Sequence, residues 1–546
     1  MSISSELIKY LLKNPPLPGD DLSVIKRKFA KQFNLAEPPT NSELLLTYRA
    51  QKKICPPLEK ALRKRKVRTL SGIAAVTVLT KPHPCPGTCA YCPHQDKMPV
   101  SYLQNEPAVM RAVLCKFNPY EQVQMRLRAL QNNGHATDKL ELIVLGGTWS
   151  YYPRVYQLWF IQECFRAAND FPRSRSRSPL LTRRGAGGEV ALLHEQTKNE
   201  SAANRIIGLT LETRPDYITE KELQTMRTLG CTRIEIGVQH IDDQILKLNK
   251  RGHLIDQTIR ATALLRQFGF KITYHLMLNL PGSTPAKDLA MFKTIYSDPR
   301  FQPDQLKIYP CVVAEGSLLY KWWQKGHWRA YSDKTLTNLI IKIKTITPPT
   351  VRLIRIIRDI PEESIIAGNK ITNLRQEIKF IMDKKGLVCH CIRCREAGHQ
   401  NKFPISNFQF PNKSKISNPK LFIRTYSVSS GTEYFISFES PDQKILYAFC
   451  RLFLPNKNLP ITSYKLLVTS YFALIRELHT YGEMTPFSQK GKVQHLGLGK
   501  KLLTQAEKIA QQKHYQKLSV ISGVGVRGYY RKLGYHLDNT YMVKTL

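Results

Sequence analysis

Cys85, Cys89 and Cys92 stand at C-x3-C-x2-C spacing within Lys81-Pro-His-Pro-Cys-Pro-Gly-Thr-Cys-Ala-Tyr-Cys-Pro-His-Gln95. Prolines and a glycine break this segment, so it cannot form the inside of a helix and reads as a loop whose thiolates can converge. Three converging thiolates leave one coordination position open on whatever they hold. A four-iron cluster held in that way keeps one iron free for a small molecule, whereas an electron carrier takes four cysteines. A structural zinc knuckle is the other reading of the same spacing.

Two further stretches carry chemistry. Leu387-Val-Cys389-His-Cys391-Ile-Arg-Cys394-Arg-Glu396 sets three more cysteines at C-x-C-x2-C spacing in a tight turn, right for zinc. Its fourth ligand stays open among His390, His399, Cys311 and water. Gln494-His-Leu-Gly497-Leu-Gly499 lies between a strand-like run and an amphipathic helix reaching about Lys513. Glycines at such a junction let backbone N–H groups and the helix N-terminus approach a diphosphate. Gly528-Tyr-Tyr-Arg-Lys-Leu-Gly-Tyr535 closes that region.

The elements that must position these groups fall into a pattern. From about 76 to 385 strand-like runs alternate with helices: Leu140–Leu145, Ile206–Leu211, Arg233–Val238, Lys271–Leu278 and Gln305–Tyr309. One intervening helix opens on the capping box Thr219-Glu-Lys-Glu222 and stops at Gly230, and another runs from about Ile255 to Gly269. This α/β alternation predicts a parallel barrel or part-barrel. Gly146, Gly147, Thr148, Glu212, Gln239 and Asn279 then close the strands on the C-terminal face, where such barrels carry their sites. From about 421 to 546 shorter strands (Glu433–Phe438, Ile445–Phe453, Tyr471–Ile475, Leu518–Ile521) predict a mixed α+β domain, with 386–420 as a zinc-binding linker. Residues 1–75 read as helical and basic, with five basic residues in the seven from Leu62 to Arg68. Residues 173–188, rich in arginine, serine and glycine, read as a flexible basic insertion.

Composition bounds the partner. The 546 residues carry 82 Lys+Arg against 42 Asp+Glu, a net charge of +40, which implies a polyanion such as nucleic acid. The 12 cysteines, two trios and a scatter, suit metal ligation in a reducing compartment better than a disulfide framework. Met1-Ser-Ile-Ser-Ser-Glu6 lacks a basic signal region and no uncharged run of membrane-spanning length follows, so a cytoplasmic protein with no membrane partner is expected.

The three-cysteine loop, with Tyr91 just before its last cysteine, resembles the cluster loop of radical S-adenosylmethionine (SAM) enzymes. The Gln494–Gly499 loop resembles the pyrophosphate loop of GNAT acetyltransferases. Together with the zinc-type turn they resemble the catalytic subunit of Elongator and its stand-alone prokaryotic relatives, which modify tRNA uridine. Arg68–Ala74, Asn105–Ala112, Leu211–Asp216, Glu235–Gln239, Asn249–His253, Arg476–His479, Ser522–Gly525 and Tyr541–Lys544 carry that resemblance over nearly the whole chain. It implies a 4Fe-4S cluster on Cys85, Cys89 and Cys92, with Tyr91 against the SAM adenine. Gly146, Gly147 and Thr148 would meet the SAM amino group, and Glu212 and Gln239 its ribose. Lys139, Glu477, Leu478, His479, Thr480, Val493, Gln494, His495, Gly497, Gly499 and Tyr529 would meet acetyl-CoA, and Cys389, Cys391 and Cys394 would hold zinc.

The implied reaction takes one electron from a reductant, cleaves SAM, and uses the resulting radical on the acetyl-CoA methyl group. The carbon is joined to C5 of a tRNA wobble uridine, and thioester hydrolysis leaves 5-carboxymethyluridine. The shorter gap between the first two cysteines, the 173–188 insertion, and Thr480 and Val493 depart from the family pattern. A lysine (histone or protein) acetyltransferase with a structural iron–sulfur cluster is the alternative. An RNA-binding scaffold with degenerate sites is a third class, which would need neither intact loop.

Overall fold

The computed structural model describes residues 3–16, 21–51, 55–64, 66–172, 187–400, 419–456, 472–482, 484 and 496–546. Most of the 173–188 insertion and of the 401–420 stretch, with Val493, Gln494 and His495, lie outside the described residues.

Seven strands build the first sheet: β1 (Ala74–Leu79), β2 (Lys139–Leu145), β3 (Arg205–Thr213), β4 (Arg233–Gln239), β5 (Lys271–Leu278), β6 (Gln305–Pro310) and β7 (Arg352–Arg355). They lie in chain order and every neighbouring pair is parallel, with β1 and β7 at the edges. Sequential parallel order places the crossover helices on one side, so the sheet curls into an open half-barrel. The period-2 pattern explains its two faces. Leu140, Leu142, Ile234, Ile236, Ile272, Tyr274, Leu306 and Ile308 face the helices and are buried in one apolar core. The alternate positions fill the lumen with charge. Glu141 pairs with Arg233 (2.7 Å), and Glu235 with His275 (2.9 Å) and Lys307.

The second sheet comprises β8 (Lys420–Val428), β9 (Gly431–Glu439), β10 (Leu446–Pro455), β11 (Phe472–Thr480), β12 (Lys517–Val520), β13 (His536–Asp538) and β14 (Tyr541–Thr545). Its order is β13-β14-β12-β11-β10-β9-β8, antiparallel except for the parallel pair β11–β12. The helix Leu498–Gln512 covers it, burying Leu502, Leu503, Ala506 and Ala510 in a second core.

This mixed sheet sits on the foot of the half-barrel, where the strands begin. Arg476 of β11 reaches Asp304, just ahead of β6 (2.5 Å), and Glu433 of β9 (2.7 Å). Arg266 also pairs with Glu433 (3.1 Å), and Arg451 with Glu477 (3.1 Å). The turn at Gly523 presses so closely on β3 that an added Cβ would lie 2.0 Å from the Ile207 carbonyl oxygen.

The N-terminal helices Ile3–Lys13, Leu22–Gln32, Asn41–Ala50 and Pro56–Leu62 close on their own small core of Leu7, Leu11, Leu44, Tyr48 and Leu58. Arg49 ties them to the half-barrel by donating to the Gln131 carbonyl (3.0 Å). The first barrel strand starts at Ala74, slightly ahead of the boundary expected after residue 75. Among the described residues no helix is long and apolar enough to cross a membrane.

Candidate active site

The cysteine loop leaves β1 at the head of the half-barrel and is pinned from three directions. Thr80 N–H donates to the Leu145 carbonyl (3.0 Å), Ala90 N–H to Asn249 (3.0 Å), and Leu319 N–H to Ala90 (2.7 Å). Cys85 Sγ lies 4.0 Å from Thr148 Oγ1. Cys89 and Cys92 share a hydrogen bond, and Arg251 donates to Cys89 Sγ at 3.2 Å. Cys89 is pulled down to about 4, first by the Cys92 hydrogen bond and then by Arg251 and Arg214, against the opposing effect of burial. Cys92 is pushed well up, by the same shared bond and by burial. Tyr91 is buried in an apolar cluster with Cys89, Leu280 and Trp328, and its hydroxyl has no hydrogen-bond partner.

The strand ends around the loop carry the expected polar residues. Gly146 and Gly147 have φ of +132° and +100°, and a Cβ at Gly146 would lie 1.8 Å from Thr80 Oγ1, so a side chain there would displace β1. Glu212 accepts from Tyr102 Oη (3.1 Å) and stands 3.7 Å from His275. Gln239 holds a left-handed φ of +68°, and its buried Oε1 is unpartnered. A non-glycine residue in that region at a strand end, with a free acceptor, is a common mark of a ligand-facing position. Asn279 (φ +61°) is committed to structure, accepting from Tyr331 N–H (2.5 Å) and Trp328 Nε1 (2.9 Å). A cavity of about 460 Å³ borders the loop, lined in part by Thr88, Cys89, Cys92 and Ser317. The lowered pKa of Cys89, the buried arginines beside it and the adjoining space fit an anionic iron–sulfur cluster.

The second trio sits at the foot. Cys389, Cys391 and Cys394 place their sulfurs within 4.8 Å of one another, the only such His/Cys/Asp/Glu group among the described residues. The following turn is fixed by Ile392 N–H on the Val351 carbonyl (2.9 Å), at the start of β7. Lys344 Nζ donates to Cys394 Sγ at 3.6 Å. Cys394 is pulled down to about 2 by hydrogen bonds from the other two sulfurs and then by Lys344, while Cys389 and Cys391 are pushed up. That compactness fits one tetrahedral ion. None of the sequence candidates for a fourth protein ligand joins the group. Cys311 packs with Cys89 at the head, His399 faces Glu396 (3.4 Å), and His390 lies outside.

A third arrangement lies on the mixed sheet. β12 pairs with β11 only over Phe472–Ile475, so Glu477–Thr480 keep β10 on one side and no described strand on the other. The helix Leu498–Gln512 starts beside this open edge from Gly497 at φ +81°. A Cβ at Gly499 would lie 3.1 Å from Tyr529 Oη and 4.0 Å from Thr480 Oγ1, so these three residues converge on the positive end of the helix. The side chains of Glu477 and His479 are engaged elsewhere, on Arg451 (3.1 Å) and the Ser71 carbonyl (2.9 Å). Leu478 packs against the second core. The backbone of 477–480, with Thr480 Oγ1, is therefore what borders the gap.

Lys139 begins β2, beside Arg205 in register, at the seam with the turn from Gly523 to Gly525. Burial pulls it down to about 8. Seven residues of strand put it roughly 20 Å from the head of β2. The sequence reading gave no role to Arg214 and Arg251, although both lie in motifs it singled out, because nothing in their spacing shows that they fold onto the cysteine loop.

Residues 83–295 match the Radical SAM superfamily and residues 303–384 the Radical_SAM C-terminal domain. The tRNA uridine(34) acetyltransferase of Dehalococcoides mccartyi (strain CBDB1) is 43% identical over 489 residues, covering 88% of this chain and 100% of its own. Elongator complex protein 3 of Homo sapiens is 34% identical over 558 residues, covering 99% and 96%. A solved structure of the archaeal Methanocaldococcus infernus Elp3 with an N-terminal deletion superposes with a TM-score of 0.73 at 39% identity, covering 88% of this chain and 100% of that one. With the half-barrel, the cysteine loop and relatives spanning almost its full length, the chain belongs to the radical SAM family of tRNA uridine(34) acetyltransferases and Elongator complex protein 3.

Proposed function

We propose that this chain installs a carboxymethyl group on C5 of the wobble uridine of tRNA, using SAM and acetyl-CoA. The names of its relatives support the substrate, and the net charge of +40 supports a polyanion partner. The observation that carries the reading is the pairing of two unlike ends. A cysteine loop for one-electron chemistry crowns the half-barrel. An open strand edge at a helix N-terminus, suited to a diphosphate, packs under it. When bound, the cluster and SAM supply one-electron hydrogen abstraction.

The chain's own residues do the rest. Cys85, Cys89 and Cys92 hold the cluster, and the Gly146–Gly147 turn gives SAM close backbone approach. Glu212 and Gln239 offer carboxylate and amide carbonyl oxygens, respectively, to ribose hydroxyls. Tyr529, Gly499 and the 477–480 backbone seat coenzyme A. Lys139, at the foot of β2, meets acetyl-CoA. Cys389, Cys391 and Cys394 hold a structural zinc. The basic N-terminal helices, and the exposed Lys64 and Arg68 that follow them, dock tRNA through phosphates. A one-electron reductant is required, and Elongator-type partner subunits are compatible with the family.

The experiment is methyl-deuterated acetyl-CoA with SAM, reductant and unmodified tRNA. Deuterium is expected in 5′-deoxyadenosine and the acetyl carbon on uridine C5. No label in deoxyadenosine, with efficient acetylation of a lysine peptide, would overturn the reading in favour of a protein acetyltransferase.

A further inference from the structure

We propose that Arg214 and Arg251 form a cationic cradle around the three-cysteine loop and set the reduction potential of the cluster held there. The inference rests on the radical SAM reading of the loop and assigns these two residues a positioning and tuning role.

Arg251 is buried and comes from the turn after the short helix Asp243–Leu248 that follows β4. It donates through Nη1 to Cys89 Sγ (3.2 Å) and through Nη2 to the Gly237 carbonyl (2.6 Å). A Cβ at Gly237 would lie 2.6 Å from Nη2, so a side chain there would push the guanidinium out of this position. Among the described residues no carboxylate pairs with Arg251. A buried cation without a counter-charge is costly, and the sulfur side of the loop is what offsets it here.

Arg214 approaches from the other side. Its Nε and Nη2 bind Asp216 (3.0 and 2.9 Å), while the buried Nη1 has no hydrogen-bond partner. That nitrogen lies against Gly87, midway between Cys85 and Cys89. A Cβ there would stand 2.1 Å from Arg214 Nη1 and 3.5 Å from Cys89 Sγ. Gly252 leaves room for the same guanidinium, with Nη2 3.0 Å from an added Cβ. The two cations thus meet the loop at its middle cysteine, and three glycines clear their paths.

The redox step is a single-electron transfer from an external one-electron reductant to the oxidised cluster. The cluster becomes one unit more negative, and no bond or proton changes hands. Cations and hydrogen bonds at the ligand sulfurs favour the more negative state and so raise the potential. Arg251, with no carboxylate to offset it, contributes more than Arg214, whose charge Asp216 partly cancels.

The test is an anaerobic redox titration of reconstituted wild type, Arg251→Met, Arg251→Lys and Arg214→Met. Iron content is measured alongside the electron paramagnetic resonance signal of the reduced cluster. Arg251→Met is expected to retain its iron while its reduced-to-oxidised ratio at fixed reductant falls about tenfold, equivalent to about 59 mV for one electron. Arg251→Lys recovers part of the shift by keeping the charge, and Arg214→Met moves less in the same direction. A wild-type midpoint in fully loaded Arg251→Met, or a lysine variant no closer to wild type than the methionine one, overturns the proposal. Should Arg251→Met hold no iron, the Arg251→Lys and Arg214→Met titrations decide, and unchanged midpoints in both overturn it. Wild type that assembles no iron would instead overturn the radical SAM reading itself.

Discussion

The half-barrel carries three cysteines at its head and three at its foot, and the two trios are built differently. Cys389, Cys391 and Cys394 gather within 4.8 Å of one another beside one lysine, Lys344. Cys85, Cys89 and Cys92 do not close to that distance, and arginines rather than a lysine attend them. A single ion draws its thiolates onto one point, whereas a cube of iron and sulfide holds them further apart. The companion cations differ accordingly. Lysine brings a compact point charge, while a guanidinium can donate to a sulfur and to backbone at once. Two trios of equal ligand count thus differ in spread and in the cations around them.

The most drastic way to test the distinction is to break the head alone. Cys89→Ser removes the central thiolate of the loop, so iron and SAM cleavage are expected to be lost entirely while zinc content stays at the wild-type level. Parallel iron and zinc analysis with a 5′-deoxyadenosine assay checks this. Loss of both metals together would show that the trios are not independent. The foot has its own strong test in Arg476, which lies fully buried between Asp304 (2.5 Å) and Glu433 (2.7 Å). Arg476→Ala leaves two buried carboxylates short of a cation. It should cost about 3–5 kcal/mol, read by denaturant unfolding, and loosen the mixed sheet before the half-barrel.

Cys391→Ser comes next in size. Zinc should be lost and Tm should fall by several degrees, because metal binding in such a turn is folding energy. SAM cleavage per assembled cluster should persist, since the residue stands at the other end of the half-barrel. Full zinc occupancy in this variant would place the ligands elsewhere.

Much of this architecture was legible in the sequence, and the exceptions have physical reasons. β5 appears over the same residues as expected, Lys271–Leu278, because its alternation is unbroken. β7 (Arg352–Arg355) was passed over, since two apolar residues between arginines give no run to see. β8 is an edge strand with one largely exposed face, and its alternation is correspondingly weak. Both cysteine trios announce themselves because their ligands are adjacent in sequence. Arg251 and Cys89 are 162 residues apart, and the Arg476–Asp304 pair 172, so only the fold brings them together. The resemblance likewise assigned the segment Glu477–Thr480 to acetyl-CoA, and pairing registers were needed to show that its backbone borders a gap in the sheet.

The smallest expected effect concerns Lys139, at the foot of β2. Burial pulls it to about 8, below the ordinary lysine value of 10.5. Between those two pH values the unfolded chain binds a proton that the folded chain does not, so its contribution to stability improves as pH rises through that window. Below about 8 the folded protein carries the full penalty of a buried ammonium. Lys139→Met removes that charge, so it should raise Tm by a few degrees at pH 7, and the gain should shrink toward zero as pH approaches 10.5. A variant less stable than wild type at pH 7 would mean that the ammonium is compensated and that its low pKa has another source. The same substitution sharpens the contrast between the two ends. If Lys139 serves acetyl-CoA at the foot, iron content and SAM binding at the head should persist while acetyl-derived deuterium in deoxyadenosine and the tRNA product are both lost, and that split would assign the residue to acetyl-CoA rather than to SAM.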